Sequence, residues 1–390
     1  MQATAPTPNP TNKESILPSQ LKVLHIISGD LWAGAEVQAY TLLTSLPAEC
    51  DLLVVLMNHG ELEQRLVQAG INTQVIDERS HNGLKIIGKL VAVIRRFAPD
   101  IIHTHRQKEN ILGSIANVIA SLRNSKQHWR RIKSLRTTHG APEHNARGIK
   151  KLQIWLDHFC GKHLQDAIIS VSNDLASKLR VNFPEHKIHI IENGINVKQL
   201  RAAEPARDIR ADHTSAFHIG IIGRLEPVKR VDIFIDMAQH LLANAPAEHI
   251  KFHIIGDGKL HNQLITQAET LELRQHIFFH GHRTDPAQVI AALDMVVMCS
   301  DHEGTPMTAL ETLALGKPLV AHSVGGLREI LSEYPMLLVD DHSPTGYSSR
   351  ILQLMQDPPK AQLKEIYTST TNALRTLALY HSLCTSKNVG

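Results

Sequence analysis

Two glutamates and two cations are spaced as a site for phosphates and hydroxyls needs them. Glu303 and Glu311 lie in the stretch 301–320, DHEGTPMTALETLALGKPLV, with seven residues between them. Arg224 and Lys229 lie in 223–230, GRLEPVKR. A guanidinium binds phosphate oxygens bidentately and an ammonium acts as a point charge, so Arg224 and Lys229 together suit a diphosphate. A carboxylate accepts hydrogen bonds from two hydroxyls, as a ribose presents them, and Glu311 suits that task. Taken singly, each residue has a plainer explanation as a solvated helix-end charge or a surface ion pair. The elements that carry them decide between the two.

Each group follows a short apolar run that reads as a strand. The run 217–222 ends in Gly223-Arg224, and the run 295–299 leads into the loop of Glu303. Proline is tolerated at a helix start, where its missing N–H would be unpaired anyway. A helix therefore begins near Pro306, and Gly316-Lys317-Pro318 stops it. Glu303 falls in the loop at the carboxyl end of a strand, and Glu311 falls inside the helix. In an open α/β sheet that loop is where ligands bind. The helix start adds free N–H groups and a partial positive charge. All four charged residues then face one crevice, which favours a nucleotide-sugar site over the plainer explanations.

The same rhythm runs through the chain. Strands are expected at 21–27, 52–57, 72–76, 100–104, 133–138, 167–171 and 188–191. After a polar, charged break at 196–215 they resume at 217–222, 252–255, 277–279, 295–299, 319–321 and 336–339. Strands alternating with helices imply parallel sheets covered on both faces. A chain of 390 residues exceeds one ordinary core. The expected fold class is α/β, with two doubly wound parallel-sheet domains in tandem. The expected divisions are a disordered lead 1–20, a first domain 21–195, a linker 196–215, a second domain 216–365 and a helical tail 366–390.

Composition excludes several classes. With 41 basic and 38 acidic residues, a net charge of +3 does not point to nucleic acid. There are 25 histidines, but no pair has helical metal-ligand spacing backed by a third ligand, so no metal is expected. Cys50, Cys160, Cys299 and Cys384 are scattered without a C-x-x-C, which reads as buried free thiols in a reducing compartment. No apolar run approaches a membrane span, and residues 1–20 lack the apolar core of a signal peptide. A cytoplasmic protein is expected. The segment 121–151 carries Arg123, Lys126, Arg130, Arg131, Lys133, Arg136, Arg147, Lys150 and Lys151 against one acid, Glu143. Trp129 and Trp155 lie in or near it. Such a run suits peripheral contact with an anionic membrane, or equally a solvated face.

These motifs together resemble the retaining glycosyltransferase family 4, which has the GT-B fold of two Rossmann-like domains facing a central cleft. In the second half the resemblance rests on Gly223-Arg224-Leu225 with Lys229, Glu303 to Glu311 with Gly304 and Pro306, then Ala314, Gly316-Lys317-Pro318 and Gly325-Gly326. The first half resembles the family more loosely, at Ala33-Gly34-Ala35-Glu36, at 100–105 (DIIHTH), at Thr138-His139-Gly140, at Val171-Ser172 and at Asn193-Gly194-Ile195. The chain departs at Ala33, where the family often has a second glycine, and at Thr305, where many members carry a bulkier apolar residue. Both positions bear on the sugar pocket.

The resemblance implies the following roles. Arg224 and Lys229 hold the diphosphate of a nucleotide-sugar donor and stabilise the leaving group. Glu311 binds the ribose. Glu303, Gly304, Thr305, Pro306 and Met307 approach the sugar and distal phosphate. Gly34 meets the phosphates from the other domain, and Arg283 lies near the base. His139 stands beside the sugar, with its backbone carbonyl facing developing positive charge. His105, at its strand end, is the acceptor-side candidate, while His25 and His103 are expected in the core. The implied activity is transfer from a UDP- or GDP-sugar to a glycan or lipid-linked acceptor, with no cofactor and no metal. The implied C-terminal helix crosses back to the first domain. A GT-B hydrolase or epimerase and a catalytically idle binding protein stay open as alternatives.

Overall fold

The computed structural model describes residues 20–30, 32–122, 132–140, 148–210, 215–244 and 249–385. The expected lead 1–20, apart from Gln20, lies outside them. So do Arg123, Lys126, Trp129, Arg130, Arg131, Glu143 and Arg147 of the basic run.

Seven strands build the first sheet: β1 (Leu21–Ile27), β2 (Cys50–Leu56), β3 (Asn72–Val75), β4 (Ile101–His105), β5 (Lys133–Thr138), β6 (Ala167–Ser170) and β7 (Ile188–Ile190). Their order is β3-β2-β1-β4-β5-β6-β7, and every pair is parallel. Parallel neighbours require helical crossovers, which bury both faces of the sheet. Alternate residues of β1 serve the two faces. Leu24 and Ile26 pack with Ile86, Leu90 and Ala116, while Val23 packs with Leu42, Leu135 and Tyr380.

Six strands build the second sheet: β8 (Phe217–Ile222), β9 (Ile250–Ile255), β10 (Ile277–Phe279), β11 (Met295–Met298), β12 (Leu319–His322) and β13 (Leu338–Val339). Their order, β10-β9-β8-β11-β12-β13, is again all parallel. In each sheet the strand order reverses beside the first strand, between β1 and β4 and between β8 and β11. A crevice opens at such a point because the flanking crossovers lie on opposite faces. The loops after β8 and β11 carry Lys229 and Glu303.

Residues 196–215, expected as a polar linker, hold two short helices, Val197–Arg201 and Arg207–Arg210. Both dock on the second domain. Ile209 is buried in its core, Arg201 donates to the Ala314 carbonyl, and Arg210 pairs with Asp294. A few apolar anchors suffice here, too few to show as helical periodicity. Cys50, Cys160 and Cys299 are buried free thiols, and Cys384 is half-buried. No helix among the described residues is long and apolar enough to cross a membrane.

The chain passes between the domains twice, and the two passages lie side by side. Ile195 and Thr368 form an isolated parallel bridge, with Ile195 N donating to Tyr367 O at 2.9 Å and Ser369 N to Ile195 O at 2.8 Å. The helix Ser369–Thr385 then lies against the first domain, where Ala373, Leu379 and Tyr380 join the core of Val23, Ile101 and Ala167. Arg375 pairs with Glu192, and the Asn372 amide donates to the Glu192 carbonyl at 2.6 Å.

Gly194 is where these passages touch most closely. A Cβ there would stand 2.5 Å from Thr368 O and 2.8 Å from Asn372 Cβ. Overpacking of this kind typically costs ~1–3 kcal/mol. Gly194→Ala should therefore lower the urea midpoint. Gly88→Ala, in the helix Gly83–Phe97 with nothing within 4 Å of its Cβ, should leave the midpoint unchanged or raise it. Equal behaviour of the two variants would show that the crossing is not tight.

Candidate active site

The second-domain side is built from loops that approach one another backbone to backbone. A Cβ on Gly256 would sit 1.8 Å from Gly223 O, and one on Gly326 would sit 1.7 Å from Gly304 O. Glycine is required at both places because no side chain fits. The loops after β8 and β11 meet in an ion pair, Lys229 Nζ to Glu303 Oε1 at 2.5 Å, and Ser300 Oγ donates to the same oxygen at 2.6 Å. Beneath them a small pocket is lined by Gly223, Leu225, Lys229, Ile255, Met298 and Ser300. Arg224 is exposed and makes no ion pair with the described residues, so its guanidinium is free for a ligand. The helix Met307–Ala314 begins after Pro306, and its first amides lack intrahelical partners.

Glu311 lies on that helix, partly exposed, and its carboxylate has no described partner. Burial pushes its carboxyl up to about 7. An acid that is desolvated and unpaired in the free protein gains most from ligand hydroxyls that hydrogen-bond its charged form. Arg283, expected near the base, is engaged by two carboxylates. Its guanidinium binds Asp285 at 2.7 Å and Asp208 at 2.5 Å, and these two carboxylates raise its pKa further. It ties the helix Arg207–Arg210 to the second domain, and with both carboxylates in place it has little left for a ligand.

The first domain presents the ends of β1, β4 and β5. Gly34 opens the helix Gly34–Ser45, is exposed, and has nothing within 4 Å of its Cβ direction, so backbone there faces open space. Arg106 follows β4 in a left-handed conformation, φ 84°, and pairs with buried Glu36 at 2.5 Å and with Asp30 at 3.4 Å. Such a backbone persists in a non-glycine residue only where its surroundings hold it. Arg106 and Ser300 also follow strand ends, so the strand-end rule applies to both, although neither belongs to a motif.

His139 ends β5 against the second domain. A Cβ on Gly304 would lie 3.2 Å from the His139 carbonyl oxygen, so the two backbones are in near contact across the cleft. Thr305 Oγ1 donates to the Val171 carbonyl at 2.5 Å, and Asn193 Nδ2 donates to the Thr305 carbonyl at 3.1 Å. Glu329 accepts from the amides of Asn173 and Asp174, at the start of the helix Asn173–Arg180. Gly304 and Thr305 thus meet the first domain at His139 and Val171, with Glu303 and Pro306 on either side, whereas the Met307 side chain is buried in the second-domain core. His105 is buried behind His139, with Nδ1 3.3 Å from His139 Nε2, and is set back from the cleft as an acceptor contact. His25, His103 and His105 converge in the core although they are distant in sequence, because His25 and His103 are register partners on β1 and β4.

Comparisons with known proteins agree with this architecture. The profile described as Glycosyltransferase Family 4 matches residues 32–199, and that described as Glycosyl transferases group 1 matches residues 205–369. The chain is similar to the UDP-Gal:alpha-D-GlcNAc-diphosphoundecaprenol alpha-1,3-galactosyltransferase of Escherichia coli, 24% identical over 354 residues that cover 87% of this chain and 89% of the relative. The crystal structure of HepE from Anabaena with UDP and glucose superposes with a TM-score of 0.76 at 22% identity, covering 93% of this chain and 100% of that one. Sucrose-phosphate synthase from Thermosynechococcus elongatus superposes with a TM-score of 0.68 at 17% identity, covering 94% and 100%. The fold is GT-B.

Glu311 makes the site's clearest pH signature. The folded carboxyl keeps its proton up to about pH 7, while the unfolded chain releases it near the ordinary 4.5. Between those values the folded state binds more protons, so this group makes stability fall as pH rises through that window. Glu311→Gln removes the group. The variant should come closest to wild type at pH 4 and exceed it at pH 8, by at most ~3 kcal/mol. Urea denaturation at both pH values checks this, and a gap independent of pH overturns it.

Proposed function

Because the chain belongs to glycosyltransferase family 4, we propose that it moves a hexose, with retention of anomeric configuration, from a UDP-sugar to a glycan or lipid-linked acceptor of the cell envelope. A GDP-sugar is the alternative donor. The observation that carries this reading is the near contact of the His139 carbonyl with Gly304, beside the Lys229–Glu303 pair and the start of the helix Met307–Ala314. It sets a carbonyl dipole against the loop that carries Glu303, the partner of the Lys229 ammonium, and leads into the helix start. The names of the similar proteins support the donor class, since HepE was crystallised with UDP and glucose and the Escherichia coli relative is named for UDP-Gal.

In this reading the diphosphate lies against Arg224, Lys229 and the first turn of the helix, and Glu311 takes the ribose hydroxyls. The bond from the anomeric carbon to the phosphate oxygen breaks, and its electron pair leaves with the diphosphate. The cations and the helix dipole stabilise that charge as it grows. The His139 carbonyl faces the positive charge left on the sugar ring. The acceptor hydroxyl attacks the same face, and the departing phosphate oxygen takes its proton. Glu303 is held by Lys229 and Ser300, so its task is to place the ammonium and not to attack carbon. Hydrolytic retention would instead require a paired nucleophile and acid. The reaction so described calls for no metal.

A lipid-linked acceptor also calls for a membrane contact. The helix Ile149–Phe159 exposes Leu152, Trp155 and Phe159 beside Lys150 and Lys151, with Trp155 stacked on Phe159 at 5.8 Å. Exposed aromatics beside lysines suit an anionic headgroup region. In this reading the protein is cytoplasmic and meets the inner face of the membrane peripherally.

Losing a hydrogen bond to a charged group typically costs ~1.5–3 kcal/mol, roughly ten- to a hundredfold in affinity. Arg224→Ala and Lys229→Ala should each weaken UDP binding by about that factor in calorimetry. Arg224→Ala is the cleaner test, because Lys229→Ala also strands Glu303. Wild type should release UDP only with acceptor present, in chelator, and give the donor's own anomer by NMR. Unchanged affinity in both variants, acceptor-independent release or an inverted product would overturn the assignment. Separately, Trp155→Ala with Lys151→Glu should lower co-sedimentation with anionic vesicles while leaving UDP affinity unchanged, and undiminished vesicle binding would reject the membrane face.

A further inference from the structure

Behind His139 the first domain holds a column of polar side chains that the proposed transfer does not use. His139 Nε2 lies 3.3 Å from His105 Nδ1, and His105 Nε2 lies 3.1 Å from His25 Nδ1. His25 Nε2 lies 3.3 Å from Tyr380 OH, which lies 2.6 Å from His103 Nδ1. His103 Nε2 ends the series 2.8 Å from Thr137 Oγ1. Every internal ring uses both nitrogens, joined head to tail. His103 and His105 stack at 17° and His25 and His105 at 25°, while His25 and His103 are tilted by 38°. Ligand atoms of His25, His103 and His105 lie within 4.8 Å of one another, but each nitrogen of these three rings already has a hydrogen-bond partner in the series.

Burial keeps these imidazoles neutral: it pushes His25 down to about 3, His139 to about 4, and His103 and His105 well below the ordinary value. A neutral ring has one N–H and one lone pair. Once one tautomer is set, each neighbour must follow, and only two polarities exist for the whole column. Thr137 can donate or accept, so it favours neither. The other end decides, because His139 Nδ1 is buried without a described partner. A buried orphan N–H is the rarer and costlier defect. His139 therefore carries its proton on Nε2 and leaves Nδ1 bare.

We propose that Tyr380, acting through His25 and His105, is a positioning residue that fixes His139 as the Nε2–H tautomer, leaving Nδ1 to accept a hydrogen bond from a hydroxyl of the bound sugar. The sugar as ligand rests on the function proposed above; the tautomer does not. Tyr380 belongs to the helix Ser369–Thr385 that arrives from the second domain, so the column makes the orientation of His139 depend on how that helix docks.

The test is Tyr380→Phe, read by long-range proton–nitrogen NMR on histidine-labelled protein. In wild type His139 should show one species, protonated on Nε2. With phenylalanine in the column, either polarity of the part from His139 to His25 leaves one donor and one acceptor unsatisfied, so His139 should become a mixture of tautomers. Thr137→Val breaks the column at its far end and should give the same mixture by the same logic; it also serves if the Tyr380 variant folds poorly. In the transfer assay, Tyr380→Phe should lower kcat roughly tenfold, the size of one lost hydrogen bond on a barrier, while UDP affinity stays at the wild-type value. An Nδ1–H tautomer in wild type, or a single unchanged tautomer in both variants, overturns the proposal. So does stoichiometric metal in the purified protein that abolishes the imidazole N–H signals. Intact tautomer behaviour without sugar transfer would count against the function and not against the column.

Discussion

The cleft closes backbone on backbone. Where the His139 carbonyl meets Gly304 a Cβ would stand only 3.2 Å from the oxygen, and the loops that support Gly304 are themselves packed through Gly326, where no side chain fits. That constraint sets the rest of the second-domain site. Only loops so thin bring Glu303, Lys229 and the start of the helix Met307–Ala314 within reach of one ligand. Only a carbonyl, with no side chain of its own in the way, projects a partial negative charge toward them. A Cβ at 304 would press on the His139 carbonyl, which would have to give by a few tenths of an ångström.

Charge in the cleft is arranged in two ways. Glu36 and Glu303 are buried and paired, with Arg106 and Lys229 respectively, so each cation is held in place by a carboxylate that costs desolvation energy to bury. Glu311 and Arg224 have no side-chain partner among the described residues. The paired groups are preorganised and shape the site, whereas the unpaired groups are the ones a ligand completes. The same division separates Arg224 from Arg283, whose two carboxylate partners give it a structural task.

The return of the C-terminal helix gives the first domain more than a covering. Tyr380 lies fully buried between His25 and His103, so an element that begins at the second passage between the domains completes a polar network ending at the cleft. Parallel strands in register make that network possible: His25 stands beside His103, and His105 beside Thr137, on neighbouring strands. Side chains of equal parity then share a face and stack.

Much of this was legible in the chain itself. Alternating apolar runs and helical spacing, with turn residues between, located the strands of both sheets, because a buried parallel strand must be apolar on both faces. The strand-end rule placed Arg224, Lys229, Glu303 and His139 at a crevice. Other features depend on contacts between residues far apart in sequence. The segment 196–215 reads as polar, yet Ile209 and a few neighbours dock it. Arg283 has the right type and position for a ligand, yet Asp208 and Asp285 engage it. His105 ends its strand like His139, yet lies one layer behind. The four histidines of the column come from three strands and meet only through β1–β4–β5 pairing and a tyrosine more than two hundred residues away in the chain. Local pattern determines which backbone forms where, because hydrogen-bond period and burial are local demands. Which charge finds a partner, and which stays open for a ligand, is decided only when the folded chain sets distant side chains within a few ångströms of each other.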